Sequence, residues 1–269
     1  IRIAQYLGME KVAEIANRAG VMENMPNVLS MALGAGETSL IDLTAAYASF
    51  VNGGKKVEPS LIDRIQDRRG KNIFLENFAA CTNCDEPYIE ENPMPKLVNS
   101  SESIFDEAKS YQMVSILKGA VDRGTGRKTK IDGIEIAGKT GTTNNNTDAW
   151  FIGFTSDLII GVYAGFDKPK SLGKRETGSS VAVPIFRDFV KNYYQEKPIL
   201  PFTIPNGIEL IKINYDTGEI ASNFNSSESV YEAFSNSDNL VTSGEILVGS
   251  EGFQIIEVAD EVMEEYVIY

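Results

Sequence analysis

Histidine is absent from these 269 residues. No Ser-His-Asp or Cys-His relay, and no zinc site using histidine, can therefore be built from this chain's own side chains. Cysteine is nearly absent as well, with Cys81 and Cys84 forming a CTNC run. A zinc site would need two further thiolate or imidazole ligands that the chain lacks. A thioredoxin-like pair would open a helix after a strand, whereas this one sits among Asn, Asp, Glu and Pro. The expectation is a local Cys81–Cys84 disulfide in a surface loop, formed in an oxidising compartment and too short-looped to add much stability. Positive charge is in deficit: the net charge of −13 argues against a nucleic-acid partner, which needs a basic face, and reads as solubility. Long hydrophobic runs are missing too, since LIIGVYAGF (158–166) is far too short to span a bilayer. IRIAQYLGMEK lacks both an initiating Met and the apolar core of a signal peptide, so the chain reads as cut from something longer. No metal and no cofactor are expected.

What is present is a globular composition, 42% hydrophobic, in a length that makes one large domain or two modest ones. A short helix over 2–7 ends at Gly8, and EKVAEIANRAG (10–20) predicts an amphipathic helix with Val12, Ile15 and Ala16 inward. Ser39 and Asp42 predict a capping box for a helix carrying Leu40, Leu43, Tyr47 and Phe50 on one face, stopped by Gly53-Gly54. Residues 61–76 read as a hairpin, and 77–100 as an acidic, Pro-containing surface insertion holding the cysteine pair. A long helix is predicted over 103–124, then three close strands at 134–142, 149–156 and 158–166. Pro184 sets the regular start of the next helix near 183, and short β-like pieces follow Pro198.

The stretch GKTGTTNNNTDAWF (138–151) carries the chemistry. On a strand, Thr140 and Thr142 share one face while Lys139 and Gly141 share the other. Two adjacent hydroxyls can cradle a carboxylate, and the neighbouring ammonium supplies positive potential in a cleft. Gly141 leaves room for another backbone, as a peptide added at a sheet edge would require. A strand-edge N–H such as that of Thr142 could serve as an oxyanion donor. The bland alternative is polar strand-end chemistry leading into an Asn-rich turn, because a bare K-T-G recurs by chance.

K-T-G is also the third member of the S-x-x-K, S-x-N, K-T-G set of serine penicillin-recognising enzymes. Around it the chain resembles the transpeptidase domain of class A penicillin-binding proteins. The resemblance runs through ALGAGETSLIDLTAAYASFVNGGKKVEPSLIDRIQDRRGKNIF (32–74), VDRGTG (121–126) and IAGKTGTTNNNTDAWFIGF (136–154). TGSSVAVPIFRDFV (177–190) and PFTIPNGIELIKINYDTGEIASNF (201–224) extend it. It implies an α+β fold, an antiparallel sheet with helices on both faces, truncated at the N-terminus. Residues 1–199 would be the C-terminal portion of that domain, and 200–269 a β-rich extension with an acidic tail.

The resemblance implies peptidoglycan D,D-transpeptidation through a serine ester, with D-Ala-D-Ala stem peptides as substrate and β-lactams as mimics of it. Lys139, Thr140, Gly141 and Thr142 would bind substrate, and the Thr142 N–H would complete the oxyanion hole. The nucleophilic Ser, its Lys and the S-x-N motif would precede Arg2, so this stretch would be inactive alone and need the N-terminal half of its domain. A glycosyltransferase domain and a membrane anchor would lie upstream, with this part on the periplasmic face. Ser115-Ile-Leu-Lys118, Ser171-Leu-Gly-Lys174 and Ser237-Asp-Asn239 imitate the earlier motifs. Each stands in the wrong order or too near K-T-G, and two fixed letters recur about once by chance in a chain this long. Asp148 and Trp150 recur in the family after the K-T-G turn; core packing is the first expectation for Trp150. The rival classes are a serine β-lactamase relative and a non-catalytic binding or scaffold module.

Overall fold

The computed structural model describes residues 1–76, 79–82, 96–99, 101–221, 229–236, 247–249 and 252–254. In chain order the elements are α1 (Arg2–Leu7), α2 (Met9–Arg18), α3 (Leu40–Val51), β1 (Arg64–Gln66), β2 (Asn72–Leu75), β3 (Ala79–Thr82) and β4 (Lys96–Asn99). They continue as α4 (Glu107–Asp122), β5 (Ala137–Thr142), β6 (Asp148–Phe154), β7 (Ile159–Gly165) and α5 (Val183–Tyr193). Last come β8 (Ile208–Asn214), β9 (Ser229–Ser235), β10 (Leu247–Gly249) and β11 (Gly252–Gln254). Cys81 falls on β3, but its side chain and the whole of Cys84 lie outside the described residues, as do Ser237–Asn239.

The chain divides into two compact units. One holds residues 1–17, 22–37 and 204–269, and the other holds 18–21 and 38–203. In the first, the buried and half-buried stripe of α2 is Met9, Val12, Ala13 and Ala16. That is an i, i+3, i+4, i+7 set that includes the expected Val12 and Ala16 but leaves the expected Ile15 50% exposed. The β8–β9 ladder runs in unbroken antiparallel register from Ile208↔Ser235 to Asn214↔Ser229.

The second unit is built on the antiparallel sheet β5-β6-β7. Alternation sorts its side chains between two helical layers, as expected of an α+β fold. On one face Phe151 and Val162 pack with Val183, Phe186 and Val190 of α5 and with Val121. Phe151 and Phe186 meet edge to face at 4.9 Å, both fully buried. Each such ring contributes about 1.5–3 kcal/mol by leaving water. On the other face Ala137, Phe154 and Ile159 pack with Val114 and Leu117 of α4, Tyr47 and Phe50 of α3, and Phe202. Helices therefore cover both faces, as the family resemblance implies.

Local chemistry sets the element ends. The Ser39 Oγ accepts the Asp42 N–H at 3.1 Å and donates to the Asp42 carboxylate, starting α3. Helix α4 begins at Glu107, later than the expected 103, because the Asp106 carboxylate caps the Lys109 N–H at 3.0 Å. Ser103 is instead drawn into a bridge with Lys55. At the far end of the sheet, Tyr194 of the α5 C-cap donates to Asp157 and its oxygen accepts the Thr155 hydroxyl at 2.6 Å. Burial, and then the bond to Asp157, pushes the Tyr194 phenol up to about 12.

Candidate functional site

Strand β5 carries the Ala-Gly-Lys-Thr-Gly-Thr run. Its inner half is buried and its outer half, from Lys139 to Thr142, is exposed or half-buried. One long edge pairs with β6 in register from Ala137↔Phe154 to Thr142↔Ala149. The other edge has no strand beside it among the described residues. The Thr143 N–H donates to the Asp148 carbonyl at 3.2 Å. Because bonded and non-bonded pairs alternate in an antiparallel ladder, Gly141 and Lys139 also bond inward to β6. It follows that the N–H and C=O of Thr142 and Thr140 face the unpaired edge.

The side chains are arranged as the alternation predicts. Lys139 bends back so that its Nζ donates to the Thr140 carbonyl at 2.8 Å. On the opposite face the two threonine hydroxyls each have a partner. The Thr140 and Thr125 hydroxyl oxygens lie 2.7 Å apart, and Thr142 Oγ1 accepts the Gly178 N–H at 3.0 Å. A Cβ on Gly141 would meet Trp150 Cβ at 3.1 Å, so within the chain this glycine makes room for a tryptophan. The close backbone approach belongs to Gly178, which opens the π-helical turn Gly178–Ala182. A Cβ there would fall 2.3 Å from the Trp150 carbonyl oxygen and 2.6 Å from that of Gly141. Trp150 itself is half-buried and packs on Tyr163 with ring centres 4.7 Å apart.

The turn after β5 is held by one carboxylate. Asp148 Oδ2 accepts the hydroxyls of Thr147 at 2.8 Å and Thr143 at 2.9 Å, and Oδ1 accepts the Tyr163 phenol at 2.8 Å. The bonds from Thr147 and Tyr163 hold the Asp148 carboxyl below its ordinary range, and the bond to Asp148 pushes the Tyr163 phenol up. Asn145 and Asn146 take left-handed backbone, φ 61° and 53°, a conformation asparagine tolerates better than most residues.

Two of the three imitation motifs have structural partners among the described residues. Lys118 is ion-paired to Glu135, whose other oxygen accepts the Phe202 N–H at 2.9 Å. Burial acts to raise the Glu135 carboxyl, but the bonds from Lys118 and Phe202 together with the Lys118 charge lower it overall. The Lys118 ammonium thus faces the Glu135 carboxylate. Ser171 Oγ accepts the Gly173 N–H at 3.2 Å in a turn, not in a helix that could aim a serine at a lysine.

A sequence profile of the Penicillin binding protein transpeptidase domain matches residues 4–191. The chain belongs to the penicillin-binding protein transpeptidase family. It is 44% identical over 226 residues to Penicillin-binding protein 1A of Rickettsia conorii, covering 82% of this chain and 28% of that protein. Against Penicillin-binding protein 1A of Pseudomonas aeruginosa the identity is 31% over 281 residues, covering 93% of this chain and 34% of that one. The crystal structure of Penicillin-Binding Protein 1A from Haemophilus influenzae superposes with a TM-score of 0.72 at 28% identity. That superposition covers 86% of this chain and 37% of the other. PonA1 of Mycobacterium tuberculosis in complex with penicillin V shares the fold, with a TM-score of 0.57 at 20% identity over 72% of this chain and 54% of that one. The chain thus spans about a third or less of the length of these curated relatives.

Within this penicillin-binding fold, sequence reasoning found the K-T-G strand but gave no role to Thr125, Gly178 or Tyr163. The sequence does carry signals for two of them: glycines bracketing one threonine in RGTG, and the glycine after Thr177 in TGSSVAVP. Neither motif names its partner, because Thr140 and Thr142 are distant from them in sequence.

Proposed function

We propose that this chain supplies the substrate-binding edge of a peptidoglycan D,D-transpeptidase that cross-links stem peptides and is acylated by β-lactams. The unpaired edge of β5, with the Thr142 N–H turned outward beside Lys139 and Thr140, is the observation that carries the reading. An extended D-Ala-D-Ala peptide would lie along that edge as an added strand. Its terminal carboxylate would take hydrogen bonds from Thr140 and Thr142, and Lys139 would supply the positive potential of the cleft. The nucleophilic serine and its lysine would come from sequence outside these 269 residues.

In acylation the serine oxygen forms an ester with the penultimate D-Ala carbonyl, the peptide bond breaks, and D-Ala departs with a proton. An amine of a neighbouring stem then attacks the ester and releases the serine. The Thr142 N–H stabilises the oxyanion in both steps. A β-lactam stops at the ester. On this reading residues 1–199, with the 77–100 insertion, are the C-terminal part of the transpeptidase domain, and 200–269 form an extension. The parent would be a membrane-anchored protein with a glycosyltransferase domain, working on the periplasmic face. Kinship with proteins named Penicillin-binding protein 1A supports this.

Fluorescent penicillin labelling with peptide mass spectrometry tests the reading. The full-length parent should carry one penicilloyl ester on a serine outside this stretch, and the 269-residue chain alone should carry none. A stable adduct on Ser115, or no adduct on the parent, would overturn it.

A further inference from the structure

The hydroxyl pair on β5 is not equivalently supported. Thr142 Oγ1 accepts the Gly178 N–H at 3.0 Å. An amide can only donate, so the Thr142 hydrogen is always left to point elsewhere. Thr140 Oγ1 instead lies 2.7 Å from another hydroxyl, that of Thr125, and between two hydroxyls either can donate. We infer that Thr125 is a positioning residue for carboxylate recognition: when an anion docks at Thr140, the Thr125 hydroxyl donates to Thr140 Oγ1 and frees the Thr140 hydrogen for the anion. The inference rests on the transpeptidase reading, because it needs a carboxylate ligand at β5.

The chain is built to hold Thr125 there. Helix α4 closes with the Arg123 N–H on the Gly119 carbonyl, and the Gly126 N–H reaches back to the Ala120 carbonyl at 3.0 Å. A Cβ on Gly124 would fall 2.8 Å from the Ala120 carbonyl oxygen. One on Gly126 would fall 3.1 Å from the same oxygen and 3.2 Å from Val121 Cα. Gly124 is thus needed for the chain to fold tightly over the helix end, and Gly126 packs closely against it. The fold carries the residue between them to β5, where it stays exposed. Because each hydroxyl in a donor chain polarises the next, Thr125 makes Thr140 a stronger donor than it would be alone. Thr140 and Thr142 then both present hydrogens, one through a fixed amide and the other through a hydroxyl able to reverse.

The test is second-order acylation of the full-length parent by benzylpenicillin and by its carboxyl methyl ester, comparing wild type, Thr125→Val and Thr125→Ser. Valine keeps the β-branched shape and removes the donor; serine keeps the donor. Thr125→Val should slow acylation by the acid about fivefold to tenfold, the worth of one ordinary hydroxyl–hydroxyl bond. The ester should react at within about twofold of wild type, and Thr125→Ser should restore the acid rate to within about twofold on the same scale. An equal loss with acid and ester, no loss with the acid, or no rescue by serine would overturn the inference while leaving the transpeptidase reading intact. A wild-type parent that is not acylated at all would overturn both.

Discussion

Replacing Gly178 by alanine tests how the π-helical turn is seated on the sheet. The new Cβ would fall 2.3 Å from the Trp150 carbonyl oxygen and 2.6 Å from that of Gly141, where ordinary contact begins at 3.4 Å. Both obstacles are backbone atoms inside a paired ladder, since Gly141 and Trp150 are register partners. Neither can rotate away, so the turn itself must retreat by roughly 1 Å, an overpacking cost of about 1–3 kcal/mol. The same retreat stretches the 3.0 Å bond from the Gly178 N–H to Thr142 Oγ1 beyond hydrogen-bond range, adding about 1 kcal/mol. A loss of about 2–4 kcal/mol corresponds to roughly 5–12 °C in melting temperature for a domain of this size. Gly141→Ala is the control, because its Cβ would meet only the Trp150 side chain, at 3.1 Å. Thermal melting of the full-length protein should therefore place Gly178→Ala well below both wild type and Gly141→Ala. If Gly178→Ala melts at the wild-type temperature, the close approach of this turn to the K-T-G strand is not what the glycine is for.

Two further outcomes follow from single side chains. The Asp148 carboxyl is held low by hydroxyl donors, so its contribution is present above the ordinary carboxylate range and lost as pH falls through its depressed folded value. Melting temperatures from about pH 6 down to about pH 3 should fall more steeply for wild type than for Asp148→Asn; equal slopes would contradict this. Thr129 is fully buried and its Oγ1 has no hydrogen-bond partner among the described residues, so the isosteric Thr129→Val should raise stability by about 1 kcal/mol. A loss of stability in the same melting experiment would mean that the hydroxyl is satisfied in solution.

What could be read from the sequence was local. The Ser39 cap, the short connections between β5, β6 and β7, and the Pro184 start of α5 are each written within a few residues. Alternation over residues 139–142 also placed the lysine and the threonines on opposite faces before any partner was known. What escaped depends on contacts between distant residues. Spacing alone puts Ile15 inward beside Val12 and Ala16, yet the stripe continues through Met9 and Ala13 and Ile15 stays exposed. The 103–106 segment looked helical by composition, but Lys55 and the Asp106 cap claimed it. Strand β9 fell in a Ser- and Glu-rich stretch without clear periodicity, and pairing with β8 gives it its form. At the site, the partners of Thr140 and Thr142 are Thr125 and Gly178, 15 and 36 residues away. Only the fold brings them together.

The central claim is that the free edge of β5 works on an acyl donor and is not merely the margin of a sheet. Second-order acylation of the folded full-length parent by benzylpenicillin, wild type against Lys139→Ala, tests it most directly. Lys139 is exposed at the outer half of the strand, so removing it opens no core cavity and stability should change by less than about 1 kcal/mol. Loss of a group that stabilises developing charge in a transition state typically costs on the order of 100-fold in rate. The expected result is a loss of that order in a variant that melts with wild type. A Lys139→Ala protein that acylates at the wild-type rate would contradict it.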